Sequence, residues 1–270
     1  MLLKEKLKNI FKTVRTVSTQ MVFPEGISCI VCNNELEGGE KYDICKECRL
    51  EFNTTFCVRC GRGIFDSGSF CDKCIEYGEY NFDYARSALS YNETATRLIH
   101  NFKYGGAKYL STYLAKFLDT IEHIEVHQKA DFITCVPLHK KRKKVRGYNQ
   151  AELLANSLSN ITGIKFVDTL DKMVYTKNLA RLSKQERAEV IKNSFALKEK
   201  FDKNKLKDKR IILVDDVLTT TATADECAKI LKKGGAGEVI VLTITSVASQ
   251  KQAEKIDDKK FMIGPYSIQN

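Results

Sequence analysis

Apolar positions recur along this chain with two alternating periods. The run Ile211-Ile212-Leu213-Val214 is unbroken, β-branched at three of its four positions and too short for a helix. It predicts a strand buried on both faces, ended by Asp215 and Asp216. Beyond a hydroxyl-rich stretch, Ala224, Cys227, Ala228 and Leu231 fall at i, i+3, i+4 and i+7, the stripe of a helix laid on a sheet. Upstream, Ala95, Leu98, Ile99 and Phe102 mark a helix stopped by Tyr104-Gly105-Gly106, and Leu110, Leu114, Phe117, Leu118 and Ile121 mark a second. Residues 131–138 read as a strand closed by Pro137, and a helix starting near Tyr148 follows, with Ala151, Leu154, Ala155 and Leu158 on its inner face. Glu238 to Thr245 is another buried strand, reached through Gly234-Gly235. Strands and helices alternating in this way predict an α/β domain with a mainly parallel sheet.

The pattern changes toward the N-terminus. Leu3, Leu7, Ile10, Phe11 and Val14 put one apolar stripe on a basic helix within residues 1–25, suited to anionic lipid, to nucleic acid or to docking on the next domain. Lys4, Lys6, Lys8 and Lys12 interrupt any secretion-signal core, so the expected location is the cytoplasm, with this helix as a route to a membrane surface. No apolar run reaches membrane-spanning length. The stretch Glu76 to Phe82, rich in Tyr, Gly and Asn, marks a boundary. A cysteine-rich domain over 26–78 then precedes the α/β domain at 79–250 and a polar tail at 251–270. With 44 Lys and Arg against 34 Asp and Glu, the net charge of +10 favours polyanionic partners without choosing one.

Eight of the ten cysteines form four C-x-x-C pairs: Cys29/Cys32, Cys45/Cys48, Cys57/Cys60 and Cys71/Cys74. Each such turn aims two thiolates at one point, and two turns complete the four-sulfur tetrahedron that zinc prefers. Two structural Zn²⁺ ions fit the count. Sequential pairing spans short loops and is preferred, interleaved pairing being the alternative. Large aliphatic residues are few here, so metal binding must supply much of the folding free energy. All-cysteine shells leave no open position for catalysis. Tyr42, Phe52, Phe56, Arg59, Arg62, Phe65 and Phe70 nearby suit either a mini-core or stacking on single-stranded nucleic acid. Cys135 and Cys227 sit on apolar stripes and read as core.

Two strand-to-helix junctions carry the candidate chemistry. After the strand ending at Asp215 and Asp216, residues Leu218 to Ala224 place the small and hydroxylic Thr219, Thr220, Thr221, Ala222 and Thr223 at a helix N-terminus. Free backbone amides there, with hydroxyl donors beside them, suit a phosphate, while the two carboxylates, acceptors only, suit a pair of sugar hydroxyls. The ligand implied is a phosphorylated ribose. After the strand at 131–138, six of the seven residues from Lys140 to Arg146 are basic. Read as a loop beside the acids, this stretch would grip a pyrophosphate, with Arg142 and Arg146 as the preferred contacts and Lys103, just before its glycines, as a third. His139 has no evident carboxylate partner and reads as incidental.

The run from Arg210 to Ala224 resembles the phosphoribosyl pyrophosphate (PRPP) motif of type I phosphoribosyltransferases. With the cysteine pairs and the V-P-L-x-x-x-R-x-x-x-R-G-Y-N-Q-A-x-x-L-A pattern from Val136 to Ala155, it is similar to the ComF family, roughly from Phe23 to Val247. That resemblance implies a type I phosphoribosyltransferase-like fold preceded by a small zinc-ribbon domain. It implies PRPP with Mg²⁺ bound through Asp215, Asp216 and residues 219–223, with the acids in any catalytic role. It adds Arg187, from the family segment at 176–195, to the pyrophosphate candidates. Departures are Thr221 where glycine is usual, a substitution expected to strain or crowd the loop, Leu179 for glutamine, Val190 for asparagine and Asn193 for glycine.

Three functions are then in play. By resemblance, the first is a competence protein that binds PRPP and handles incoming single-stranded DNA in natural transformation, with a protein of that machinery, such as a DNA helicase, as a partner. The second is an active phosphoribosyltransferase that displaces pyrophosphate at the anomeric carbon, stabilised by metal, cations and acids. The third is a non-catalytic scaffold whose ribbons bind another protein.

Overall fold

The computed structural model describes residues 27–38, 41–64, 70–121, 130–175, 190–219 and 221–247. The expected N-terminal helix, the C-terminal tail, Phe65, Leu179, Arg187 and Thr220 lie outside them. Contacts divide the chain into two compact units, Met1–Leu50 and Glu51–Asn270. The second cysteine cluster therefore belongs to the same unit as the sheet.

In the first unit, Ser28 bridges Glu35 in an antiparallel turn, and a short 3-10 segment at Lys41–Asp43 returns the chain, with the Ile30 amide donating to the Asp43 carbonyl at 2.9 Å. This turn brings Cys29 and Cys32 to Cys45 and Cys48.

The second unit is built on four parallel strands in the order β1-β6-β5-β2: β1 (Tyr84–Leu89), β2 (Phe132–Cys135), β5 (Arg210–Leu218) and β6 (Glu238–Ser246). Two short antiparallel strands, β3 (Leu170–Lys172) and β4 (Phe195–Leu197), form a separate ribbon. Ile211, Ile212, Leu213 and Val214 have no exposed surface, as expected of a strand covered on both faces. The acids do not end that strand. β5 continues through them, Asp215 opposite Thr243 and Leu218 opposite Ser246, because the long neighbour β6 offers ladder partners that far.

The helices are α1 (Asp72–Tyr77), α2 (Glu93–Tyr104), α3 (Leu110–Asp119), α4 (Lys140–Arg146), α5 (Gln150–Thr162) and α6 (Ala222–Lys233), and α2, α3, α5 and α6 carry the predicted apolar stripes. Leu98, Phe102, Leu114, Phe117, Leu154 and Leu158 are fully buried, each contributing about 1.5–3 kcal/mol of transfer free energy. α5 packs on α3, β2 and β5, while α6 packs on β4, β5 and β6.

The basic stretch corrects the expectation of a loop, since Lys140–Arg146 is helical. His139, read as incidental, caps it by accepting from the Lys141 amide through Nδ1 at 3.2 Å, and Gly147 ends it in the left-handed region at φ 81°. The next helix starts at Gln150 rather than Tyr148.

The second cysteine cluster is fastened to the edge of the sheet. The Ala85 amide of β1 donates to the Arg59 carbonyl at 2.7 Å, the Asn53 amide to Ala88 at 3.0 Å, and the Asn53 side chain to Gly61 at 2.8 Å. Gly61 has φ +66°, and a Cβ there would lie 2.4 Å from the Ala85 carbonyl oxygen, so the close approach requires glycine. The nearby aromatic and basic residues serve packing: Arg59 lies over Phe70, Arg86 over Phe56, and Phe52 meets Phe117 edge to face.

Candidate functional site

The carboxyl ends of β2 and β5, with the starts of α5 and α6, enclose a cleft of about 200 Å³. Asp215, Asp216, Thr219 and Thr223 line it together with Lys103, Arg142, Arg146 and Lys172, and three of these cations, all but Lys172, continue into an adjoining hollow of about 340 Å³. Helical geometry explains why the arginines face inward. Arg142 and Arg146 are four apart, on one face of α4, and half-buried, whereas Lys140, Lys141, Lys143 and Lys144 are exposed. Arg146 is held by the Tyr104 hydroxyl at 3.0 Å and by Gln150 Oε1 at 3.2 Å.

Residues of the Gly147-Tyr148-Asn149-Gln150 run, to which the sequence alone assigned no positioning role, hold these cations in place. Tyr148 donates to the Phe102 carbonyl at 2.5 Å and Gln150 to that of Lys103 at 3.3 Å, fixing the end of α2; Asn149 donates to Val136 at 3.1 Å, fixing the end of β2. Lys103 consequently reaches Asp216 Oδ1 at 2.9 Å. Lys172 was missed, because its short strand carries no local motif and only tertiary structure brings it to the cleft. Burial holds its ammonium below the ordinary range.

Asp215 accepts from the Asp216 amide at 2.8 Å. Its carboxyl keeps some exposed surface but is enclosed by the surrounding chain. That desolvation, with the Asp216 charge beside it, pushes its pKa up to about 7, against the opposing pull of the Asp216 amide, Lys103 and Lys172. The folded state therefore holds this proton from the ordinary value of 3.8 up to about pH 7, so the stability it contributes is fullest below that window and is lost as pH rises through it. Asp215→Asn is accordingly expected to raise the melting temperature at pH 8 by roughly 2–4 °C, about 1 kcal/mol for a chain of this size, with little change at pH 4. Thermal unfolding of both proteins across pH checks this.

The loop departures resolve differently. Thr221 has φ −59°, ordinary for any residue, so the expected backbone strain is not present, and its carbonyl accepts from Asp225 at 2.8 Å to open α6. Asn193 has φ 60°, the region that favours glycine and that asparagine tolerates best among other residues; its amide donates to Glu226 at 3.0 Å.

Each set of four cysteines converges in sequential order. Cys29, Cys32, Cys45 and Cys48 form one cluster and Cys57, Cys60, Cys71 and Cys74 the other, with the ligand atoms of each within 4.8 Å of one another. In the second cluster the Cys71 amide donates to Cys57 Sγ at 3.3 Å, and the Cys60 and Cys71 sulfurs lie 3.6 Å apart. An all-thiol donor set of this size and count fits zinc at both clusters. Cys135 and Cys227 are buried core residues, as expected.

A double zinc ribbon ahead of an α/β domain of phosphoribosyltransferase type is thus the class that the fold and the site define. Residues 18–75 match the family Double zinc ribbon domain, and residues 144–266 match the Phosphoribosyl transferase domain family. Competence protein F of Haemophilus influenzae is 32% identical over 219 residues, covering 79% of this chain and 94% of that protein. The chain belongs to the ComF family of competence proteins. DNA utilization protein YhgH of Escherichia coli K12 is 27% identical over 79% of this chain and 94% of its own length; for competence protein ComFC of Streptococcus pneumoniae the values are 27%, 84% and 92%. Among solved structures, a purine phosphoribosyltransferase from Pyrococcus horikoshii is similar over 52% of this chain and 85% of its own, with 19% identity and a TM-score of 0.33. The allosteric regulatory enzyme of purine biosynthesis is similar over 54% of this chain, at 19% identity and a TM-score of 0.37, and the match spans 30% of that enzyme. Among the described residues, no helix is long and apolar enough to cross a membrane.

Proposed function

We propose that this chain binds PRPP with Mg²⁺ in the cleft and serves the handling of incoming single-stranded DNA in the cytoplasm, alongside a protein of the uptake machinery such as a DNA helicase. The observation that carries the ligand is the meeting of both charges in one small cleft, lined by Asp215 and Asp216 and by Lys103, Arg142, Arg146 and Lys172. A ribose would present its hydroxyls to the acids, its 5-phosphate to residues 219–223 and its pyrophosphate to the cations. Mg²⁺, a cation that prefers oxygen ligands, would be held by the pyrophosphate and sugar oxygens, with the two acids at hand. The DNA role is supported by the names of the relatives and by the net charge.

Calorimetric titration of the zinc-loaded full chain with PRPP and Mg²⁺ tests the ligand. Saturable one-to-one binding with a matching rise in melting temperature is expected; a ligand that binds only the native state must stabilise it, so the absence of both would end the reading. Active transfer is the second reading, favoured by cations placed where departing pyrophosphate would need charge stabilisation. Pyrophosphate released from PRPP in the presence of any of a panel of bases would establish it.

A further inference from the structure

The second cysteine cluster does more than decorate the sheet edge, because residues beside it grip the loop that precedes α6. Arg62 follows the Cys57–Cys60 turn and is 1% exposed. Its Nη2 donates to the Thr219 carbonyl at 3.1 Å and its Nε to the Val247 carbonyl at 2.7 Å, while the Val247 amide donates to Leu218 at 3.1 Å. One planar guanidinium thus clamps the ends of β5 and β6 where the loop departs. Both acceptors are main-chain carbonyls, and among the described residues no carboxylate is ion-paired with Arg62, so its charge favours an anion held at the loop.

A second grip comes from the far side of the cluster. The Tyr80 hydroxyl lies 3.9 Å from Cys74 Sγ, and its ring stacks on the buried Phe82 at 4.8 Å. Next to it, Asn81 donates through its amide and its side chain to the two carboxylate oxygens of Asp225, in the first turn of α6. The loop and the first turn of α6 are therefore held at residues 219 and 225 by two anchors from the ribbon side, Arg62 and Asn81.

We propose that Arg62 and Asn81 are positioning residues for the 5-phosphate end of the ligand, through which the second cluster holds the loop in its anion-binding shape. This rests on the reading of the cleft as a site for a phosphorylated ribose. It separates the two ends of the ligand: the 5-phosphate depends on the ribbon, whereas pyrophosphate, gripped by Arg142, Arg146 and Lys103, does not.

The test titrates the zinc-loaded full chain and its variants separately with ribose 5-phosphate and with magnesium pyrophosphate, and compares amide hydrogen exchange at residues 221–225 without ligand. Asn81→Ala is expected to weaken ribose 5-phosphate about fivefold, the equivalent of one hydrogen bond, and to speed exchange at residues 221–225, with pyrophosphate unchanged. In a chain already carrying Asp225→Ala, the same substitution is expected to cost nothing further. Arg62→Met is expected to weaken ribose 5-phosphate at least tenfold; should it fail to fold, the Asn81 cycle still decides. Equal loss of both ligands, or native affinity and native exchange in Asn81→Ala, would overturn the proposal. If the native chain binds neither ligand, the reading of the cleft falls, and the exchange comparison alone then upholds or overturns the loop tether.

Discussion

Replacing Cys60 by serine is expected to leave the purified chain with one zinc ion instead of two and to disorganise the edge of the parallel sheet. Cys57, Cys60, Cys71 and Cys74 are all buried, and the stretch that carries them has few aliphatic side chains to hold it by packing. Binding of zinc to a four-sulfur shell supplies about 10–16 kcal/mol at neutral pH, more than the usual net stability of a domain, so losing the shell costs the local fold. The consequence spreads because β1 is an edge strand that this cluster covers. Without the bonds from Ala85 to Arg59 and from Asn53 to Ala88, β1 presents unpaired amides and carbonyls, the condition that leads to strand-to-strand aggregation. Metal analysis, light scattering and thermal unfolding of Cys60→Ser beside the native chain check the outcome. One zinc per chain with a native melting temperature would mean that packing, not metal, holds the ribbon.

How much of this was legible in the residues follows from how local each signal is. The buried strand at 211–214, the helix stripes, the cysteine pairs and the hydroxyl-rich loop are patterns within a few residues, and they appear where the periods place them. The length of β5 was not legible, since whether Asp215 and Asp216 stay in the ladder depends on how far β6 runs beside them. The basic stretch was misread for a related reason. Lysine and arginine form helices readily, but a run of like charge suggests repulsion and a solvated loop, and the capping by His139 and Gly147 that tips the balance depends on their backbone angles. Lys172 and Arg62 were the hardest to place. Neither belongs to a motif, and each acquires its role only when tertiary structure brings it to the end of β5.

Asp216→Ala is expected to weaken PRPP binding by roughly a hundredfold or more, with little change in melting temperature. Asp216 is nearly buried, and its carboxylate sits 2.9 Å from Lys103 Nζ, so a sugar placed in the cleft meets an acceptor already oriented by its counter-ion. Two hydrogen bonds from ribose hydroxyls to a charged acceptor account for about 3 kcal/mol or more between them, which sets the size of the loss. The fold should tolerate the change, because alanine keeps the Asp216 backbone within β5 and its amide bond to Asp215, and Lys103 keeps enough exposed surface to hydrate its ammonium once unpaired. The same substitution frees Lys103, and the freed cation is one of those assigned to pyrophosphate. Magnesium pyrophosphate should therefore bind Asp216→Ala as well as the native chain or better, while PRPP binds far worse. Parallel titrations with the two ligands read this divergence. A proportional fall in both would mean that Asp216 acts on the metal or on the shape of the cleft, and the assignment of the acids to the sugar would have to be withdrawn.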